Sequence, residues 1–236
     1  NNWNEKTHLN PSSNHIHREI EFIRFLKKGI SIKRRSYDHN SGKFTIPAKI
    51  KIKRVVIYEG LHPFYLSDMK NFFDISFFIQ PEESLRKKWK IARDIKKRGY
   101  SKEKVLQQFK DREKDSLRYI QSQAGQADAL VNLKQSNANE ETLVLNLKIN
   151  SNLDLEMFLS ELNNLENFKY EYHIDQQHHH LVFHNGISSK KVEEIAYNLN
   201  SEIDELLSVA PRWENDFNGI LQLAQIACVQ SKLANE

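Results

Sequence analysis

The sequence predicts an α/β core over residues 1–134, followed by a separate α+β unit over residues 141–236. Three observations carry that expectation. Residues 55–58, Val-Val-Ile-Tyr, are β-prone and stop abruptly at Glu59-Gly60, the pattern of a buried parallel strand delivering a carboxylate to the carboxyl edge of a sheet. The chain then turns strongly helical and basic, with 14 Lys+Arg against 7 Asp+Glu over residues 81–118. Finally the charge reverses: residues 1–133 hold 28 Lys+Arg and 15 Asp+Glu, net +13, whereas residues 134–236 hold 7 and 16, net −9. The reversal falls in the polar, turn-rich residues 135–141, which mark the boundary between the two units.

Local patterns define the elements in order. Asn10 or Ser12 caps a helix running to about Lys28, with Ile16, Ile20, Ile23 and Leu26 on one face. Lys27-Lys28-Gly29 ends it with cations at the negative end of the dipole and a residue free to turn left-handed. Residues 30–42 read as a polar turn around Asn40-Ser41-Gly42. Residues 66–73 form a short helix, and residues 74–80, too apolar for an edge, form a strand inside the sheet. Leu85, Trp89, Ala92 and Ile95 recur at helical spacing, leaving Arg86, Lys90, Arg93, Lys97 and Arg98 on the polar side. Ser101 caps a second basic helix to about Tyr119, and residues 127–133 return as a strand. Beyond the boundary, strands at 142–149, 168–174 and 179–184 and helices at 153–164, 188–207 and 213–233 suggest an antiparallel sheet with helices on one face.

Three motifs carry a family likeness. VVIYEGLHPFY (55–65), WKIARDIKKRGY (89–100) and QADALV (126–131) resemble, in this order, the second carboxylate motif, the lid and the next core strand of the uridine kinase and phosphoribulokinase family of P-loop kinases. The resemblance spans about residues 3–133. It implies a parallel-sheet P-loop kinase core, ATP and Mg²⁺ as cofactors, and phosphorylation of a hydroxyl on a sugar, phosphosugar or nucleoside. By resemblance Glu59 helps to hold Mg²⁺, while Arg93 and Arg98 close over the transferring phosphate. Tyr37, Asp38 and His39 match an element that contacts the acceptor, and His62, Lys90 and Arg112 are further substrate or phosphate candidates. The residue types suit these tasks: a hard carboxylate oxygen for a hard cation, and forked guanidinium donors for phosphate. Tyr-Asp-His, Trp-Lys-Ile and Glu-Gly-Leu-His lean toward the phosphoribulokinase branch. None of the seven glycines lies in a G-x-x-x-x-G-K-[ST] loop. The chain therefore reads as a segment whose nucleotide-anchoring portion is upstream, supplied elsewhere or lost, and it is expected to be inactive alone.

Composition bounds the rest. The single Cys228 leaves no intramolecular disulfide framework and no Cys-based zinc site, which fits a reducing compartment. No apolar run reaches membrane-spanning length, so a cytoplasmic protein is expected. A basic half favours an anionic ligand, but its aromatics are not interleaved with its cations, which disfavours nucleic acid. A non-catalytic binding or regulatory module that retains the kinase fold is the competing reading, with the acidic unit mediating homo-oligomerisation. His173, His178, His179, His180 and His184 raise a metal site, since alternate strand residues share a face and residues 178 and 180 could meet 173 across a hairpin. Hairpin histidines are common, however, and the sequence shows no Cys or suitably spaced carboxylate to complete a set.

Overall fold

The computed structural model describes residues 6–38, 41–136, 142–207 and 209–234. Asn10 Oδ1 accepts the Ser12 N–H at 3.0 Å and opens a 3₁₀ turn, Pro11–Ser13. Helix α1 (Ile16–Lys27) follows, burying Ile16, Ile20 and Ile23 against Met69. Gly29 ends it in the left-handed region at φ 76°. Two antiparallel ribbons come next: β1 (Ile32–Arg34) pairs with β4 (Ala48–Ile50), and β2 (Tyr37–Asp38) pairs with β3 (Lys43–Phe44).

Residues 55–58 do not form the expected strand. They run as irregular chain, with Val56 and Ile57 45% and 87% exposed, so Glu59 lies on an exposed loop and not at a sheet edge. A β-prone run becomes a strand only where a neighbour takes its N–H and C=O groups, and among the described residues no strand lies beside it. Tyr58 anchors the segment instead: its hydroxyl donates to Glu19 Oε2 at 3.2 Å and its ring lies 5.7 Å from that of Phe73.

After α2 (Ser67–Lys70) the chain enters the main sheet, built from β5 (Phe77–Ile79), β6 (Ala129–Gln135), β7 (Leu143–Asn150), β8 (Tyr170–Ile174) and β9 (His178–Phe183) in the order β5-β6-β7-β9-β8. The α/β class holds, but the sheet is mixed: β5 and β6 are parallel, and every other pair in it is antiparallel. Strand β5 lies at the edge of this sheet, with Ile79 65% exposed, where the sequence places it inside. Between β5 and β6 run the two basic helices, α3 (Glu83–Arg98) and α4 (Lys102–Asp115), then a π turn, Ser116–Ile120, and a 3₁₀ turn, Gln121–Gln126. Gly99 caps α3 at φ 63°, and Ser101 Oγ caps α4 by accepting the Lys104 N–H.

Helices α5 (Glu156–Asn163), α6 (Ser189–Leu199) and α8 (Asp216–Leu233) pack on one another and on the sheet, with the short α7 (Ile203–Leu206) after α6. The single helix expected over 188–207 is thus two. At Gly219 a Cβ would lie 2.4 Å from Val192 Cγ2, so the α6–α8 approach requires glycine there. Among the described residues no helix is long and apolar enough to cross a membrane.

The charge reversal does not divide the sheet. Strand β6, from the basic half, pairs with β7, from the acidic half, from Ala129↔Ile149 to Gln135↔Leu143. Ala129 and Val131 enter the same core as Leu145, Phe158, Phe183 and Leu223. Of the expected boundary, residues 135–141, the last five (137–141) are outside the described residues. We expect a chain nicked there to remain one particle in native gel filtration, held by the β6–β7 ladder and the common core. Phe158, fully buried, should cost about 3–5 kcal/mol in denaturant unfolding on Phe158→Ala, through lost burial and the cavity left behind.

Candidate functional site: a cationic cluster around Asp94

The i, i+4 spacing of Lys90, Asp94 and Arg98 puts all three on one face of α3. Asp94 has no exposed surface. Its Oδ2 accepts from Lys90 Nζ at 2.9 Å, its Oδ1 accepts from Arg93 Nε at 2.9 Å, and Arg98 Nη1 lies 3.5 Å from Oδ1. Burial pushes the Asp94 carboxyl up, but the hydrogen bonds from Arg93 and Lys90 outweigh it, and the pKa is lowered to about 2. The carboxylate is ionised across the physiological range and fixes the cations around it.

Helix α4 supplies the facing wall. Phe109 lies beneath the α3 cations, 4.9 Å from Arg86 and 5.1 Å from Lys90 by ring centroid, and Gln108 Oε1 accepts from Lys90 at 3.2 Å. Arg112 is half-buried; burial and the nearby Arg98 lower its pKa, against the pull of Asp94 and Asp111. The N-terminal segment is tied to the end of α4 by Thr7 Oγ1, which donates to Asp115 Oδ2 at 2.7 Å. His8 next to it has its pKa lowered from 6.5, first by burial and then by Arg112, Lys90, Arg98 and His62. Four side chains that carry positive charge at neutral pH thus surround Asp94, with Asp111 a further anion near Arg112. The excess positive charge is fixed before any ligand arrives, as an anion site requires.

His62 is 7% exposed and its Nε2 lies 2.8 Å from the Leu9 carbonyl. Its loop is pinned by the buried Gln123, whose Oε1 accepts the Phe64 N–H at 2.9 Å while Nε2 donates to the Leu61 carbonyl at 2.9 Å. Of the residues singled out from sequence, Lys90, Arg93, Arg98, Arg112 and His62 therefore come together. Tyr37 and Asp38 sit on the separate β2–β3 ribbon, where Tyr37 packs edge-on to Phe44 at 5.5 Å and Asp38 Oδ2 accepts the Ser41 N–H at 3.3 Å. His39 is outside the described residues. Glu59 is exposed, and among the described residues it belongs to no group with metal-ligand spacing. Sequence reasoning assigned no role to Asp94, His8 or Gln123. The spacing of Asp94 from Lys90 and Arg98 was the available signal; His8 and Gln123 act across the fold, beyond the reach of local spacing.

A model of the Phosphoribulokinase / Uridine kinase family matches residues 2–140. The chain belongs to that family. The phosphoribulokinase of Synechocystis sp. is 34% identical over 125 residues, covering 53% of this chain and 38% of that protein. The chloroplastic phosphoribulokinase of Spinacia oleracea is 31% identical over 125 residues, 53% of this chain and 31% of that protein. The uridine kinase of Clostridium novyi is 29% identical over 93 residues, 38% of this chain and 44% of that protein. The chain thus spans less than half the length of these relatives. In fold it is similar to a phosphoribulokinase from Rhodobacter spheroides, with a TM-score of 0.61 at 15% identity, over 96% of this chain and 77% of that one. Members of this phosphoribulokinase and uridine kinase family are kinases, and the matched residues include the whole Asp94 cluster.

Removing one partner from a buried ion pair costs about 3–5 kcal/mol because the others lose their compensation. Asp94→Ala should cost that much in urea unfolding, whereas Lys87→Ala, which removes a half-exposed 3.6 Å pair with Glu83 and a 5.9 Å approach to the Phe109 ring, should stay within about 1 kcal/mol. The Asp94 contribution is present above the ordinary carboxyl pKa of 3.8 and is lost as pH falls through about 2. Acid unfolding of Asp94→Asn should lack that component.

Proposed function

We propose that this chain is the lid and acceptor-binding part of an ATP-dependent kinase that phosphorylates a hydroxyl of a sugar, phosphosugar or nucleoside. The observation that carries the reading is the convergence of Lys90, Arg93, Arg98 and Arg112 on Asp94 within the family-matched segment. Phosphoryl transfer is mainly positioning and stabilisation of charge on the phosphoryl oxygens, and a cluster of prearranged cations suits that task. The longer match to phosphoribulokinases, at 34% over 125 residues against 29% over 93 for a uridine kinase, favours a phosphosugar acceptor.

In this reading Arg98, the loosest of the three Asp94 partners on α3 at 3.5 Å, swings to the transferring phosphate, while Lys90 and Arg93 stay on the carboxylate. Arg112, His62, Tyr37, Asp38 and His39 bind the acceptor. ATP brings the phosphates and Mg²⁺ neutralises part of their charge. Glu59 would contribute one oxygen to Mg²⁺, which ordinarily keeps waters and substrate phosphates as its remaining ligands. The protein works in the cytoplasm, and residues 141–236 contact a second copy. Strand β8, at the sheet edge with Tyr172 and Ile174 exposed, offers a surface for that contact.

The reading is tested in a protein that contains this chain together with a P-loop. Arg98→Ala is expected to lower kcat roughly a thousandfold while shifting stability by about 1 kcal/mol or less. Arg93→Ala is the less clean probe, because it also strips a 2.9 Å hydrogen bond from a buried carboxylate. Near-normal turnover by Arg98→Ala with every accepted substrate would sink the lid role and return the basic helices to a solvated face or a binding surface. The 236 residues alone should show no robust ATP turnover, checked by a coupled ADP-release assay.

A further inference from the structure

The β8–β9 hairpin holds a group of side chains that the kinase chemistry does not use. Asp175, His178 and His180 each offer one ligand atom, all within 4.8 Å of one another. The carboxylate missing from the sequence pattern is supplied by the turn. Asp175 Oδ1 accepts the N–H groups of Gln177 and His178 at 2.7 and 2.8 Å, and the Asp175 N–H donates to the His178 carbonyl at 3.0 Å. Those bonds fix the carboxylate toward the open face of the hairpin, the role that outer partners play for metal-ligating carboxylates.

The strand pleat does the rest. Residues 178 and 180 share a face of β9, while His179 points into the core, where its ring nitrogens face the Tyr172 hydroxyl at 3.0 Å and the Leu153 carbonyl at 3.0 Å. His179 is therefore committed elsewhere. His180 is held by its ring stack on His173, centroids 4.4 Å apart and planes 3° from parallel, and its Nε2 meets Asp175 Oδ2 at 2.8 Å. His178 Nδ1 lies 3.9 Å from Asp175 Oδ1. Ligand atoms on a tetrahedral ion with bonds of about 2.0–2.1 Å stand about 3.3 Å apart. From mutual distances within 4.8 Å, reaching that spacing requires rotation of the side chains.

We infer that the hairpin is a binding site for a first-row divalent transition ion, zinc above all, with Asp175, His178 and His180 as ligands and the remaining position open to water. Two imidazoles and a carboxylate suit zinc, cobalt and nickel and do not favour magnesium. The ion takes the place of the hydrogen between His180 Nε2 and Asp175 Oδ2, so His180 presents that nitrogen's lone pair and keeps its proton on Nδ1 or yields it to solvent. Lys148 lies opposite His180 in the β7–β9 register, and its positive charge opposes the ion, so the site binds less tightly than a buried structural zinc centre.

Cobalt(II) titration tests this on the tag-free 236-residue chain, with excess Mg²⁺ present to occupy simple carboxylate sites. One equivalent of Co²⁺ should give visible d–d absorption, and Zn²⁺ should displace it. His178→Gln, His180→Gln and Asp175→Asn should each weaken binding at least about tenfold; asparagine keeps the turn acceptor, so Asp175→Asn separates ligation from hairpin folding. His184→Gln, which alters the histidine paired with Glu171 at the other end of the strands, should bind as the parent does. Circular dichroism shows that each variant is folded. The proposal falls if the parent takes up no Co²⁺ or Zn²⁺, or if binding survives in the folded His178, His180 and Asp175 variants.

Discussion

Strand β6 is the constraint on which the rest of the architecture depends. On one side it takes the parallel strand β5 and on the other the antiparallel strand β7, so it joins the kinase-like segment to the acidic half through backbone hydrogen bonds. A side-chain clasp reinforces the parallel side: Asp128 Oδ2 accepts from the Ser76 N–H at 2.9 Å and from Ser76 Oγ at 2.6 Å. Helices α3 and α4 leave the sheet from β5 and return to it at β6. The position of the cationic cluster is therefore inherited from that strand.

Within the cluster, Asp94 changes how a basic helix should be read. A run of lysines and arginines is ordinarily a solvated face in which each side chain moves freely. A buried carboxylate among them converts part of the run into a fixed array, because an ionised group without water must keep its partners. The same array gives the α3 cations two roles, neutralising Asp94 and facing the anion-attracting side. Removing Lys90 or Arg93 therefore disturbs the buried carboxylate as well as the local positive charge, whereas Arg98, at 3.5 Å, is tied to it less closely.

Short-range features were legible in the sequence. The cap at Ser101, the left-handed Gly29 and Gly99, the apolar stripe of α1 and the strands of the acidic half follow from propensity and periodicity, which depend on neighbours a few residues away, whereas Asn10 caps only a 3₁₀ turn and α1 begins at Ile16 without a side-chain cap. The strand expected at residues 55–58 did not form, because a strand is completed by a partner whose position no local pattern encodes. Charge misled in a similar way: the sign change at residues 135–141 suggests a division, yet hydrogen bonding and burial join what net charge separates. In the site, Lys90, Arg93 and Arg98 were found by motif, whereas His8 and Gln123 act over sequence separations that no spacing rule covers. The Asp175 carboxylate escaped notice because it sits in the turn, off the alternation that made the histidines visible.

The placement of β6 also bears on how the chain is made. Synthesis proceeds from the N-terminus, so β5 and both basic helices leave the ribosome before β7 and β9 exist. Closing the β5–β6 pair spans about fifty residues of loop and carries the larger entropic cost, whereas β6 and β7 meet through a short connection. The β6–β7 hairpin is the cheaper nucleus, and it becomes available only late in translation. Until then residues 1–133, at net charge +13, lack their principal sheet, and their mutual repulsion opposes association during that interval.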